Sequence, residues 1–357
     1  MPRPLQARIN LAALRNNFEV VRRTAPQSQI MAVVKANGYG HGLLRVADAL
    51  KSADGFAVLN IGEASALRDA GFKQPILLLE GFFDASELSA ISNLQLDIVV
   101  HSAWQIDALA AISAATKIGV FLKLNSGMNR LGFRPAEFGA ALAKLRNNAA
   151  VRQITLMTHF ATADENAGVS AQMTIFNNVV HTLEMPLSLA NSAAILHYPE
   201  SHADWVRPGI MLYGCSPFAD KSAAELGLKP VMTLASEIIA VQELAAGDKL
   251  GYGATFVADR PMRIGVVACG YADGYPRHAP TGTPILVAGQ RSRTLGRVSM
   301  DMLFTDLTEI LDAGVGSAVA LWGEGLPAEE VAKAAGTISY ELLCALAPRV
   351  PVSDYPI

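Results

Sequence analysis

The run Ile30-Met31-Ala32-Val33-Val34-Lys35-Ala36-Asn37-Gly38-Tyr39-Gly40-His41-Gly42 decides how this chain folds. Its first half is apolar at consecutive positions, the pattern of a strand covered on both faces rather than one with a wet side. Lys35 closes that strand, where burying an ammonium is costly. Two readings stand for it. A desolvated lysine loses its charge and becomes the nucleophile that forms a Schiff base with an aldehyde cofactor, or its long stem snorkels to water. The glycines that follow let backbone come close to a ligand, and Tyr39 adds a hydroxyl donor.

Working outward, an opening helix is expected over roughly Asn10 to Thr24, and apolar strands then alternate with amphipathic helices up to about Gly214. The expected strands are Ile30 to Ala36, Gly55 to Asn60, Pro75 to Glu80, Asp97 to His101, Ile118 to Asn125, Ile154 to His159, Pro186 to Ala190 and Val206 to Tyr213. Eight strands alternating with helices make an α/β fold, a TIM-type (β/α)8 barrel over residues 1–225. A doubly wound sheet has the same alternation, because periodicity does not see closure. After about Pro217 the pattern changes to short strands split by turns such as Gly247-Asp248, Gly282-Thr283-Pro284 and Gly289-Gln290. A mostly-β domain over residues 226–357 is therefore expected, with a helix at Pro327 to Ala335.

The 357 residues supply ample core for one large and one smaller domain. No apolar run is long enough to span a bilayer and the start has no secretory h-region, which predicts a soluble cytoplasmic protein without a membrane partner. Cys215, Cys269 and Cys344 are odd in number and far apart, so neither a disulfide framework nor a zinc site is indicated and all are expected to be reduced core residues. His197, Glu200 and His202 imitate a metal cluster but sit in a polar, loop-like segment, and no metal is expected. A formal net charge of -3 leaves no electrostatic footprint for nucleic acid. The expected partner is a small molecule.

In a TIM-type barrel the chemistry sits at the C-terminal ends of the strands, and phosphate groups dock on the loops after strands seven and eight. The unusual polar residues fall there: Lys35 at strand one, Lys123 and Arg130 at and after strand five, His159 at strand six, Asn191 and Ser192 after strand seven, and Arg207-Pro208-Gly209-Ile210 on strand eight. Ser192 with the backbone N–H groups around Gly209 offers neutral donors to a phosphate, and Tyr39 and Tyr340 add hydroxyls.

These residues carry a family resemblance. The Lys35 run, Asn125-Ser-Gly-Met-Asn-Arg-Leu-Gly132, Thr158-His159-Phe160, Asn191-Ser192, Arg207-Pro-Gly-Ile-Met-Leu-Tyr-Gly214, Gly251-Tyr252-Gly253, Gly270-Tyr-Ala-Asp-Gly-Tyr275, Arg297-Val-Ser-Met-Asp301 and Tyr340-Glu-Leu-Leu343 together resemble a bacterial alanine racemase of pyridoxal phosphate fold type III, in order and over nearly the whole chain. The resemblance implies a homodimer with shared active sites that interconverts L- and D-alanine by a two-base mechanism on a pyridoxal 5'-phosphate aldimine. It makes Lys35 the cofactor anchor and one base, and Tyr252, reaching into the partner's site, the other. It places Arg207 against the pyridine nitrogen and Arg130 against the cofactor's phenolic oxygen and the substrate carboxylate. Tyr39, His159, Asn191, Ser192, Gly209, Ile210 and Tyr340 complete the cofactor site, with His159 and Arg207 as candidates for lowering the Tyr252 phenol. Met300 and Asp301 border the substrate pocket, and Lys123 matches a lysine that relatives carbamylate. A broad-substrate racemase, a decarboxylase on the same plan and a pyridoxal phosphate carrier protein are the alternatives; exchange of the Cα proton with solvent separates a carrier from an enzyme.

Overall fold

The computed structural model describes residues 3–113 and 117–355. It opens with a short strand, β1 (Gln6–Ile9), and a helix, Leu11–Thr24. Asn10 starts the helix by accepting the Ala13 N–H at 2.9 Å, and Leu14, Phe18 and Val21 at i, i+4 and i+7 form its buried face.

Eight parallel strands then close a barrel: β2 (Gln29–Val33), β3 (Gly55–Val58), β4 (Ile76–Leu78), β5 (Asp97–Val100), β6 (Ile118–Lys123), β7 (Val151–Met157), β8 (Leu187–Ser188) and β9 (Trp205–Val206). Pairing of Ile30 with Val206 joins the last strand to the first and excludes the doubly wound alternative. Every residue of β3, β4, β5 and β6 is buried, because helices cover the outside and side-chain layers fill the inside.

The strands are shorter than their apolar runs. β2 stops at Val33, β7 at Met157 and β9 at Val206, so Lys35, His159 and Arg207 stand just beyond strand ends rather than on them. The run expected to continue strand eight to Tyr213 is instead a 3-10 turn over Ile210–Tyr213, set off by Pro208, which has no N–H for a ladder. His197, expected in a loop, closes the helix Ser192–His197. Cys344, expected in the core, is exposed on the helix Ser339–Cys344, whereas Cys215 and Cys269 are buried.

After Lys35 the backbone turns left-handed. Ala36, Asn37 and Gly38 have φ/ψ of 54/50, 55/44 and 62/45, and Tyr39 has φ 51. Each non-glycine residue there costs about 1–2 kcal/mol. Fixed contacts compensate: Asn37 donates its N–H to the Glu63 carboxylate at 3.2 Å, its side chain accepts the Leu43 N–H at 2.9 Å, and its carbonyl accepts the Gly42 N–H at 2.8 Å. Gly40 sits so close to the Ser339–Cys344 helix that a Cβ there would lie 2.2 Å from the Leu343 carbonyl oxygen.

The second unit is a sheet built from β10 (Met232–Leu244), β13 (Met262–Val267), β14 (Pro284–Val287), β15 (Gln290–Leu295), β16 (Leu303–Asp306), β17 (Ala318–Trp322) and β18 (Val352–Asp354), with a small ribbon of β11 (Lys249–Leu250) and β12 (Phe256–Val257). The order is β13-β16-β15-β14-β17-β10-β1-β18, and β13 also pairs with β10, closing six strands on themselves. Residues 6–9, not expected to form a strand and placed with the barrel by the 1–225 boundary, thus belong to this sheet, antiparallel to β10 and parallel to β18. One continuous apolar core runs from Leu5 through the barrel to Trp322 and Val350.

Candidate active site

A cavity of about 420 Å³ opens at the C-terminal mouth of the barrel. Lys35, Tyr39, Lys123, Arg130, His159, Asn191, Ser192, Arg207, Gly209, Ile210 and Tyr340 all line it, so residues from separate barrel strand ends are brought together with Tyr340 from the helix Ser339–Cys344. Tyr252, Met300 and Asp301 are not on its wall. Tyr252 is 72% exposed and Met300 52%.

Arg207 is 4% exposed and is hydrogen-bonded through both of its terminal nitrogens. Nη1 donates to Ser188 Oγ at 2.7 Å, and Nη2 to the Thr158 carbonyl at 2.8 Å and the Leu189 carbonyl at 3.1 Å. Nη2 also lies 3.5 Å from His159 Nδ1. Among the described residues none accepts from Nε, and no carboxylate pairs with the guanidinium. Burial alone pulls its pKa down to about 10, so it remains a cation at neutral pH. Burial, then Arg207, Lys123, Arg130 and Lys35, push the His159 imidazole well below its ordinary value, and it stays neutral.

Lys123 is buried as well. Burial, then the Arg207 and Arg130 guanidiniums, lower its amine from 10.5 to about 8, with Glu80 opposing. Arg130 follows a loop pinned by Asn125, whose side-chain oxygen accepts the N–H groups of Gly127 at 3.1 Å and Asn129 at 3.0 Å.

On the opposite wall the Ser192 hydroxyl accepts the Gly209 N–H at 2.8 Å. A Cβ on Gly209 would lie 2.7 Å from the Tyr39 hydroxyl and 3.9 Å from Ser192 Oγ, so glycine keeps open a cradle rimmed by hydroxyls. Burial raises the phenols of Tyr39 and Tyr340, which stay protonated and can donate. Fixed neutral donors, a buried cation and an amine thus share one water-poor cavity, an arrangement suited to a phosphorylated aromatic aldehyde.

The comparisons identify the family. Residues 9–217 match the family described as "Alanine racemase, N-terminal domain", and residues 231–353 match "Alanine racemase, C-terminal domain". The chain belongs to the alanine racemase family. It is an enzyme, a racemase of the isomerase class. A relative from Nitrosospira multiformis, "Alanine racemase", is 61% identical over 353 residues, covering 98% of this chain and 99% of its own. The crystal structure of the biosynthetic alanine racemase from Pseudomonas aeruginosa is 51% identical with a TM-score of 0.97, over 99% of this chain and 100% of that one. The alanine racemase structure from Acinetobacter baumannii is 39% identical with a TM-score of 0.93, over 99% and 100% of the two chains.

Several wall residues were not anticipated. Glu80 and Asp164 bring two carboxylates to a mainly cationic site, and Cys344 brings a thiol. Glu80 had a signal, being a carboxylate at the C-terminal end of an expected barrel strand. Asp164 and Cys344 lie on a loop and on a distant helix, where nothing local marks them.

Asp301 is held within the second unit. Arg349 donates to its carboxylate at 2.6 Å and Arg3 to its carbonyl at 2.6 Å, and both arginines also bond the buried Asp273. The Gly270 turn presses on the same segment: a Cβ there would lie 2.3 Å from the Met300 carbonyl oxygen. Met300 and Asp301 are therefore presented outward on a rigid support.

Proposed function

We propose that the enzyme interconverts L- and D-alanine as a cytoplasmic homodimer, with pyridoxal 5'-phosphate at the barrel mouth and each site completed by residues of the other subunit. The observation that carries this reading is the meeting of Lys35, Arg207 and the Ser192–Gly209 cradle in one cavity. The cradle fits the phosphate, with Ser192, Tyr39 and Tyr340 as hydroxyl donors and Asn191, Gly209 and Ile210 shaping the wall. Arg207 Nε, lacking a protein acceptor among the described residues, fits a pyridine nitrogen. The cofactor, when bound, supplies the electron sink for the carbanion left at Cα.

The protein's own groups move the proton. Lys35 would hold the cofactor, and its Nζ, when free, would take or return the Cα proton on one face. Tyr252 of the other subunit does so on the opposite face through its phenol oxygen, near the His159 and Arg207 pair. Its 72% exposure leaves it available for that role. Arg130 orients the substrate carboxylate. Met300 and Asp301 narrow the pocket toward a methyl side chain. Lys123, neutral in appreciable fraction, adds to carbon dioxide to form an N–C bond with release of a proton, and the resulting carbamate anion orients Arg130. A role in supplying D-alanine is supported by the biosynthetic description of the Pseudomonas aeruginosa relative. Among the described residues no helix is long and apolar enough to cross a membrane.

Subunit complementation tests the shared site. Lys35→Ala and Tyr252→Phe proteins are each inactive, and mixing them after dissociation restores about a quarter of wild-type racemisation, because half the dimers are mixed and each has one intact site. No recovery in a mixture shown to exchange subunits would overturn the sharing. Borohydride treatment of the wild type followed by peptide mass analysis is expected to find the cofactor on Lys35. Absence of Cα deuterium in alanine turned over in heavy water would overturn racemisation itself.

A further inference from the structure

The left-handed turn that carries Lys35 and Tyr39 is gripped by a residue outside the cavity. His41 is fully buried and is not on the cavity wall. Its Nδ1 lies 2.8 Å from the Tyr39 carbonyl and 3.0 Å from the Gly38 carbonyl. Both are acceptors only, so Nδ1 must carry the proton and donate. Nε2 is then a bare lone pair, and it is buried without a partner among the described residues. A polar atom left in that state is costly. Burial also holds the imidazole down to about 4, so the ring keeps one neutral form through the working pH range.

The ring acts on the same turn from a second side. It packs on Tyr213 with centroids 4.8 Å apart, and Tyr213 stacks on Tyr39 at 4.5 Å and 22°. Tyr213 is fixed in turn by its hydroxyl, which donates to the Val33 carbonyl at 3.0 Å, at the end of the strand that leads to Lys35. His41 thus holds Tyr39 by its backbone carbonyl and, through Tyr213, by its ring. The phenol so placed is the one that rims the Gly209 cradle.

We propose that His41 is a positioning residue for cofactor binding: its Nδ1–H clamps the left-handed turn so that the Tyr39 hydroxyl faces the phosphate cradle and Lys35 faces the aldehyde. A phenylalanine at this position keeps the stack on Tyr213 and loses the donor. An asparagine carries an amide N–H at the same distance from Cβ as Nδ1. This inference rests on pyridoxal phosphate as the cofactor, so the wild-type apoprotein is titrated with it first; a wild type that does not bind sinks that reading and not the clamp, which the tautomer below still tests.

The experiment compares pyridoxal phosphate dissociation constants of wild type, His41→Phe and His41→Asn, by tyrosine and tryptophan fluorescence quenching, with KM and kcat for alanine alongside. His41→Phe is expected to bind the cofactor about tenfold more weakly, the worth of one buried hydrogen bond. His41→Asn is expected to stay within about threefold, and KM for alanine to be unchanged in the loaded enzymes. A folded His41→Phe protein that binds like wild type overturns the proposal, and so does equal weakening of both variants, which would assign the effect to ring volume. Nitrogen-15 resonances of His41 in the wild type give a second measurement that needs no variant to fold. A protonated Nδ1 and an unprotonated Nε2 are expected, and the reverse tautomer would overturn the clamp.

Discussion

Replacing Lys123 with methionine is expected to stabilise the cofactor-free protein at neutral pH. Lys123 is 6% exposed, and burial together with Arg207 and Arg130 lowers its amine from 10.5 to about 8. The folded state therefore holds this proton less tightly than the unfolded chain does. Whatever stability the neutral amine carries is present above the unfolded value of 10.5 and is lost as the pH falls through about 8. Below that the unfolded state gains about 3 kcal/mol, from ~1.36 kcal/mol per pKa unit over the drop from 10.5 to about 8. Methionine fills a similar volume without a charge and escapes the penalty. Urea unfolding in degassed buffer should show Lys123→Met more stable than wild type by about 3 kcal/mol near neutrality, with the gap closing above pH 10.5. Bicarbonate should narrow the gap from the wild-type side only, because carbamylation turns the cation into an anion beside two arginines. A variant less stable than wild type at neutral pH, or a gap independent of pH, would refute the reasoning.

Three further outcomes follow from single residues. Arg207→Lys keeps a cation but cannot reach Ser188 Oγ and the Thr158 and Leu189 carbonyls together, so kcat for racemisation, followed by polarimetry, should fall on the order of a hundredfold. In Gly209→Ala the new Cβ would crowd the Tyr39 hydroxyl at 2.7 Å, and cofactor affinity measured by fluorescence should fall about tenfold. Burial raises the Asp273 carboxyl, but bonds from Arg3, the Gly270 N–H and Arg349 outweigh it and leave the group below 3.8. Asp273→Asn should therefore cost about 2 kcal/mol at neutral pH, discounted for the partly exposed arginines, and circular dichroism in acid should show the gap to wild type closing as the pH falls below 3.8.

The barrel was legible because buried parallel strands write unbroken apolar runs, such as Ile30 to Val34 and Ile98 to Val100. Strand ends were less legible. Val206 to Tyr213 is apolar apart from Arg207, but only Trp205–Val206 pairs; Ile210–Tyr213 is buried by packing instead, and apolarity does not separate the two. The left-handed turn had its signal in Asn37-Gly38-Tyr39-Gly40, although Ala36 at φ 54 could not be read locally, since the turn is held by contacts of Asn37 with Glu63 and Leu43. β1 was invisible because four residues say nothing about partners at Ala235 and Val352. The residues that line the cavity from the strand ends were legible because barrel geometry sends strand ends to one rim. Asp164 and Cys344 were missed because their place there is purely tertiary.

The pairing of β1 also has a temporal side. Gln6–Ile9 is synthesised well before both of its neighbours, Met232–Leu244 and Val352–Asp354, which follow more than roughly 200 residues later. During synthesis the barrel can close while this strand still presents two bare edges. One edge of β1 stays unpaired until Val352–Asp354 has been made and docks along it.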